Sequence, residues 1–295
     1  MKEKRRVLVA TDLSEGAGEA LCEGARLARQ SEGRLAVVHV VPTRRARAHA
    51  PPFAHDADAD ALLVGKLARA LRRAIRRRLV RVAGSQDAEI FIDEGLDHIE
   101  IVKRAADWRA DIIVVGGRGR STLGHLFRGV GERVVREAHC PVLVTRGGHG
   151  HGGVLAATDL SKPSLPAVVA GALEAERRGT NLKVVHAVGF LDVEARYLLS
   201  LATGRGSYDA DFAGLARELE DAVAELGIDQ TCEVLDGGAA QAIVRDARAI
   251  DAELIVVATR AKTKPGRAVL RSVAEDVVRG APCSVLVVRA PSVGA

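Results

Sequence analysis

Aromatic side chains are scarce: phenylalanine, tyrosine and tryptophan together make up 3% of the 295 residues, and Trp108 is the one tryptophan. Proteins that grip nucleic acid without sequence preference stack bases on such rings, and no DNA- or RNA-binding motif is present either. Nucleic-acid binding is therefore not expected. No apolar run approaches the roughly 18 residues that a membrane-crossing helix needs. The basic start, Met1 to Arg6, leads into an apolar run that stops at Ala10, too short for a secretory signal. The four cysteines, Cys22, Cys140, Cys232 and Cys283, form no CxxC pair and no metal-ligand spacing. They read as reduced, mostly buried thiols of a cytoplasmic protein. A Walker loop, a HIGH sequence and an SGGxDS loop are also missing, as is a carboxylate cluster suited to magnesium, which argues against a dedicated hydrolase or adenylyl transferase.

What is present is 47% apolar and 27% charged, the balance of a soluble globular chain, and its length suggests two domains of about 150 residues each. Charge is uneven. Residues 1–152 hold 27 lysines and arginines against 19 carboxylates, and the remainder 16 against 19. Much of the excess lies in Arg69, Arg72, Arg73, Arg76, Arg77, Arg78 and Arg81, interleaved with Leu67, Leu71, Ile75 and Leu79. That spacing predicts an amphipathic helix whose basic face is solvated.

The chain repeats itself. Val7-Leu8-Val9-Ala10-Thr11-Asp12-Leu13-Ser14 returns as Val154-Leu155-Ala156-Ala157-Thr158-Asp159-Leu160-Ser161, and Val38-His39-Val40 as Val185-His186-Ala187. Asp111-Ile112-Ile113-Val114-Val115 is matched by Glu253-Leu254-Ile255-Val256-Val257, and Cys140-Pro141-Val142-Leu143-Val144 by Cys283-Ser284-Val285-Leu286-Val287. Two tandem copies, 1–147 and 153–290, follow, joined by a glycine-rich run from Gly147 to Gly153 that reads as a flexible linker. In the first copy, strands are predicted near Arg6–Ala10, Leu35–Val41, Glu89–Asp93, Asp111–Gly116 and Val142–Thr145. Helices are predicted near Glu15–Gln30, Asp58–Val82, Asp97–Trp108 and His125–Ala138. Ser14 and Asp97 suit N-caps, and Gly33 and Gly84 suit helix ends. Alternating helices and short apolar strands predict an α/β fold with a doubly wound parallel sheet, whose ligand crevice lies beyond the carboxyl ends of the strands.

One stretch offers chemistry there. After the apolar run Ile112–Val115 comes Gly116-Gly117-Arg118-Gly119-Arg120-Ser121, then Gly129 and a helical pattern. Glycines let backbone approach an anion, and a helix start presents free N–H groups to it. A tight turn with solvated arginines is the alternative. Asp12, at the other strand end, suits a ligand hydroxyl or amine, or else a helix cap. His39 reads as a core or strand-edge residue.

Asp12, His39-Val40, the spacing of Gly116, Gly119 and Gly129, and Cys140-Pro141-Val142 together resemble the universal stress protein family in its tandem form. The resemblance covers nearly all of both halves. It implies two Rossmann-like domains, each with a five-stranded sheet of order 3-2-1-4-5, and one adenine nucleotide, ATP or ADP, per chain. Magnesium would come with the nucleotide if at all. The site residues so implied are Thr11, Asp12, Val40, Gly116, Arg118, Gly119, Arg120, Ser121, Gly129 and Val130, all in the first half. Asp12 and the backbone at Val40 would meet the adenosine part, Gly116 the ribose, and Gly119, Arg120 and Gly129 the phosphates. Two departures stand out. Val130 follows Gly129 where the family has Ser or Thr, unless a one-residue deletion moves Gly129 into that place. The second copy has Ala258, Ala261 and Arg271 where the first has glycines. The family implies a cytoplasmic stress-response regulator or scaffold rather than a metabolic enzyme, with a nucleotide-free interaction module or a slow ATP hydrolase as alternatives. The terminal strands Val142–Val144 and Val285–Val287, apolar and prone to association if left as open edges, are expected to pair the two halves pseudo-symmetrically or to build a homo-oligomer.

Overall fold

Strand β1 (Arg6–Ala10) is buried from Val7 onward, so layers must cover both faces of its sheet. In the computed structural model, which describes residues 4–14, 16–42, 57–84, 87–117, 129–147, 150–189, 208–259 and 272–290, the chain divides into two units at Gly147/Gly148. In the first, β1 lies between β2 (Arg34–Val41) and β4 (Ile112–Gly116), both parallel to it, with Ala10 opposite Val38 and Val115. Outside these run β3 (Glu89–Glu94) and β5 (Val142–Thr145), which completes the order β3-β2-β1-β4-β5. The helices are α1 (Gly16–Gln30), α2 (Ala57–Ala83), α3 (Asp97–Asp107) and α4 (Val130–Glu137).

The second unit repeats the plan. Its order is β8-β7-β6-β9-β10, built from β6 (Val154–Ala157), β7 (Leu182–Val188), β8 (Thr231–Asp236), β9 (Leu254–Thr259) and β10 (Ser284–Arg289), again all parallel. Its helices are α5 (Leu165–Arg178), α6 (Tyr208–Ala224), α7 (Ala239–Ala249) and α8 (Val273–Gly280). The expected α/β class and the doubly wound five-stranded sheet are thus present twice. Among the described residues no helix is long and apolar enough to cross a membrane.

Small residues set the helix-to-sheet spacing. Helix α1 buries Ala17, Ala20, Leu21, Ala25 and Ala28, and a side chain at Gly24 would overlap Val9 of β1. Each fully buried leucine contributes about 1.5–3 kcal/mol. The outer strands are fastened by charge instead. Arg104 of α3 pairs with Asp93 of β3 at 2.5 Å and lies 4.4 Å from the Phe91 ring centre. In the second unit Lys183 of β7 bridges Glu233 of β8 at 2.6 Å and Asp246 of α7 at 2.9 Å.

Several local expectations change. Gly84 ends α2 at φ 64°, its N–H donating to the Val80 carbonyl, and the Ser14 hydroxyl accepts from the Ala17 N–H at 3.4 Å, as a cap should. Asp97, however, is the first residue of α3. Leu96 occupies the cap position without a side-chain bond, and the Asp97 carboxylate sits in the first turn, where the helix dipole favours it. On α2, Ile75 and Leu79 are buried but Leu67 is 46% exposed, so the inward stripe is shorter than the pattern suggests. The glycine run before β6 is not slack where it is described. The Gly152 N–H donates to the Asp251 carbonyl at 2.9 Å, the His151 N–H to the Asp251 carboxylate, and a Cβ on Gly150 or Gly152 would overlap the backbone of 250–252. These glycines serve close approach, not flexibility.

Candidate functional site

Beyond β1 the chain makes a tight loop that fixes one carboxylate. The Asp12 Oδ1 accepts from both the N–H of Ser14 at 2.9 Å and its hydroxyl at 2.5 Å. Between them Leu13 takes a left-handed conformation, φ 64°, and donates its N–H to the Thr11 hydroxyl at 3.1 Å. A leucine there costs about 1–2 kcal/mol, so the loop persists only because its neighbours hold it. His39 of β2 is one of them, its Nδ1 lying 2.7 Å from the Thr11 carbonyl oxygen. That bond makes the Nδ1–H tautomer the donor and gives a loop-holding task to a residue that the sequence reads as core or strand-edge. Asp12 keeps its N–H and its Oδ2 without a protein partner among the described residues. A donor and an acceptor thus remain side by side at the crevice.

The second unit has the same loop, closed. Leu160 has φ 61° and donates its N–H to the Thr158 hydroxyl, Asp159 accepts from Ser161, and His186 Nδ1 lies 2.9 Å from the Thr158 carbonyl. Here Ser164 fills the centre. Its hydroxyl lies 2.7 Å from that of Thr158 and accepts from the Asp159 N–H at 3.3 Å.

Across the crevice the units diverge further. Helix α4 begins after Gly129, at φ 84°, ψ 1°, with no side-chain cap. Among the described residues, a Cβ on Gly129 would meet nothing within 4 Å, so none of them stands before the helix there. Gly129 and Ser272 are both the cap residues of matching helices, so Gly129 corresponds to Ser272 and not to Arg271. Gly129 therefore takes the hydroxyl residue's place, and Val130 is a buried core residue with no substitute role for its side chain. In α8 the Ser272 hydroxyl accepts from the Glu275 N–H at 3.2 Å, and the Glu275 carboxylate lies 3.4 Å from it. The Ser-x-x-Glu spacing is that of a capping box, and its Ser272 half is formed. Glu275 and Asp276 occupy the first turn of α8, where α4 has Glu132 and Arg133. An anion meets a closed, acidic helix start in the second unit and an uncapped one carrying an arginine in the first. Replacing Ser272 with alanine is expected to cost about 1 kcal/mol of stability, read from the urea midpoint. An unchanged midpoint would refute the capping assignment.

Electrostatics bring these parts together. The Asp97 carboxyl is held above its ordinary value of 3.8, chiefly because burial disfavours its charge; Asp12 adds to this, while His98, His39 and Arg133 oppose it. Asp97 is thus within reach of both sides of the crevice. As pH rises above about 3.8, the unfolded chain releases this proton before the folded one does, so the residue's contribution to stability falls through that window. Asp97→Asn should therefore look more favourable, relative to the parent, at pH 7 than at pH 4. Equal differences in urea midpoint at the two pH values would contradict this.

Of the residues proposed from sequence, the structure places Thr11 and Asp12 in the loop, Val40 on β2 beside it and Gly116 at the end of β4. Gly116 packs on α1, where a Cβ would lie 3.3 Å from the Gly16 carbonyl oxygen. Gly129 and Val130 open α4, while Arg118, Gly119, Arg120 and Ser121 lie outside the described residues. Sequence reasoning passed over Gly117, whose Cβ would sit 2.7 Å from the Thr145 carbonyl, and the Ser-x-x-Glu signature of α8, which was there to be read. Among the described residues no group of three or more His, Cys, Asp or Glu side chains could hold a metal.

Comparison with known proteins agrees with the repeat. The model of the universal stress protein family matches twice, over residues 4–146 and 152–289. A universal stress protein of Mycobacterium bovis is 27% identical over 304 residues, spanning 98% of both chains. One of Thermus aquaticus is 30% identical over 143 residues, 48% of this chain and 98% of its own. The crystal structure of a universal stress protein from Archaeoglobus fulgidus is similar with a TM-score of 0.68 at 20% identity, covering 96% of this chain and 98% of that one. At that identity the likeness speaks for the fold.

Proposed function

The chain belongs to the universal stress protein family, and from that premise we propose that its first unit binds one adenine nucleotide, ATP or ADP, and that the second unit binds none. The observation that carries this reading is the contrast between the two helix starts. Gly129 leaves α4 open to an anion, and Arg133 stands in its first turn, whereas Ser272, Glu275 and Asp276 close α8 and make it acidic. The N–H and Oδ2 of Asp12, which have no partner among the described residues, supply a matched donor and acceptor for a base edge or sugar hydroxyl. In the second unit Ser164 takes up that amide.

Residues and ligand therefore fit: an acceptor for the nucleoside on one bank, uncompensated helix amides for phosphate on the other. Gly129, standing where the family has Ser or Thr, offers no hydroxyl, at a cost of roughly 1 kcal/mol for the one hydrogen bond forgone. Magnesium would arrive on the phosphates rather than on a protein cage. The biological role that suits this arrangement is a cytoplasmic, nucleotide-responsive regulator or scaffold of the stress response. The test is direct: denature the purified protein, identify the released small molecules by mass spectrometry, and titrate the emptied protein with ATP and ADP. An adenine nucleotide at one equivalent per chain supports the proposal. No release and no binding at millimolar ATP would sink it in favour of a nucleotide-free interaction module.

A further inference from the structure

The basic run on α2 reads from sequence as one solvated face, and for Arg69, Arg72, Arg73, Arg76, Arg77 and Arg81 the structure agrees: all are exposed. Arg78 is different. It is half-buried, and its Nη1 donates to the Leu13 carbonyl oxygen at 3.0 Å, 65 residues away in the chain. Helix α1 makes room for it with Gly18, where a Cβ would lie 3.2 Å from the guanidinium Nη2. We propose that Arg78 is a positioning residue of the first unit's ligand site, acting through the Asp12 loop. This rests on the nucleotide reading of that site.

The loop is gripped at two carbonyls, by His39 at Thr11 and by Arg78 at Leu13, and Asp12 is the residue between them. Two anchored flanks fix the direction in which the free Oδ2 points, as a site built for one ligand geometry requires. The second unit separates structural need from ligand need. It keeps the left-handed Leu160, the Asp159 turn and the His186 contact, yet no described side chain donates to the Leu160 carbonyl. When the fully buried Leu215 and Leu219 of α6 are set against Ile75 and Leu79 of α2, Glu218 falls at the Arg78 position and is exposed. Leu165 stands where the first unit has Gly18. The loop therefore folds without the clamp. What the clamp adds belongs to the unit with the open helix start.

The experiment uses the full-length chain with Arg78→Ala, Arg78→Lys and, as a charge control, Arg77→Ala. ATP affinity is measured by calorimetry, and backbone order by amide hydrogen exchange. Arg78→Ala should weaken ATP about tenfold, the equivalent of about 1.4 kcal/mol, as expected for losing a charged donor to a carbonyl. It should speed exchange within 11–14 and leave 158–161 unchanged. Arg78→Lys, which still offers a charged donor, should recover most of the affinity, and Arg77→Ala should lose none. Unchanged ATP affinity in Arg78→Ala, with or without faster exchange, overturns the positioning role. So does an equal loss in Arg77→Ala, which would mean general charge attraction. Failure of Arg78→Ala to fold also overturns it, since the clamp would then be structural. If the parent protein binds no nucleotide, the proposed function fails and this inference goes with it; if the parent binds and Arg78→Ala binds equally well, this inference fails alone.

Discussion

Titrated with ATP, the parent chain should take up one equivalent, Asp12→Ala should bind at least about tenfold more weakly, and Asp159→Ala should bind as the parent does. The tenfold figure is the loss of one or two hydrogen bonds to a charged group, each about 1.5–3 kcal/mol. Asp12 and Asp159 sit in loops of the same conformation, so the difference between the two variants isolates what lies around them. Arg133→Asp, which copies Asp276 into the first unit, should also lower affinity, and more at low salt than at high, because the charge change acts at a screened surface. Two equivalents per chain, or a large loss from Asp159→Ala, would mean that the wrong unit carries the site.

The largest expected loss of stability comes from a glycine far from the crevice. Gly33 carries the chain from α1 into β2; its N–H donates to the Ala28 carbonyl at 2.8 Å, and the next residue, Arg34, donates to the Arg5 carbonyl at 2.9 Å. A Cβ on Gly33 would overlap that Arg5 carbonyl oxygen, and backbone in the central sheet cannot swing aside as a side chain can. Gly33→Val should cost about 3 kcal/mol or more, at the top of the range for overpacking, a large share of the 5–15 kcal/mol that holds a typical protein folded. Trp108, the one tryptophan, is buried in the first unit, so its fluorescence in urea reports on that unit alone. Gly179→Ala, at φ 65° with no described atom within 4 Å of its Cβ, is the control, expected to cost about 1 kcal/mol and to leave the Trp108 transition in place. A Gly33→Val protein with the parent's midpoint would disprove the argument.

What could be read from the chain beforehand divides by range. Apolar runs such as Ile112–Val115 and the repeated Thr-Asp-Leu-Ser are contiguous, so strands, repeat and loop were legible at once. Composition misled where one residue type serves two ends: glycines 150–153 suggested slack, whereas backbone of 250–252 presses against them. The cap at Ser272 was legible in its Ser-x-x-Glu spacing but lost when Gly129 was matched to Arg271, one residue out of register. The helical period does set Arg78 apart, since it stands three residues after Ile75 and beside Leu79 whereas Arg77 lies on the opposite face. Only the packing of α2 on α1 shows that its guanidinium reaches the Leu13 carbonyl.

The contrast between a closed and an open helix start also governs how the protein should respond to heat. Helix α8 carries its own cap, whereas α4 would be finished by the nucleotide proposed to bind before it. A ligand that binds only the folded form raises stability by an amount set by its concentration over its dissociation constant, about 2.7 kcal/mol at a hundredfold excess. ATP should therefore raise the melting temperature with every increment in the parent and in Asp159→Ala, and Asp12→Ala should flatten that rise. Heat resistance would then track nucleotide supply through the first unit's site.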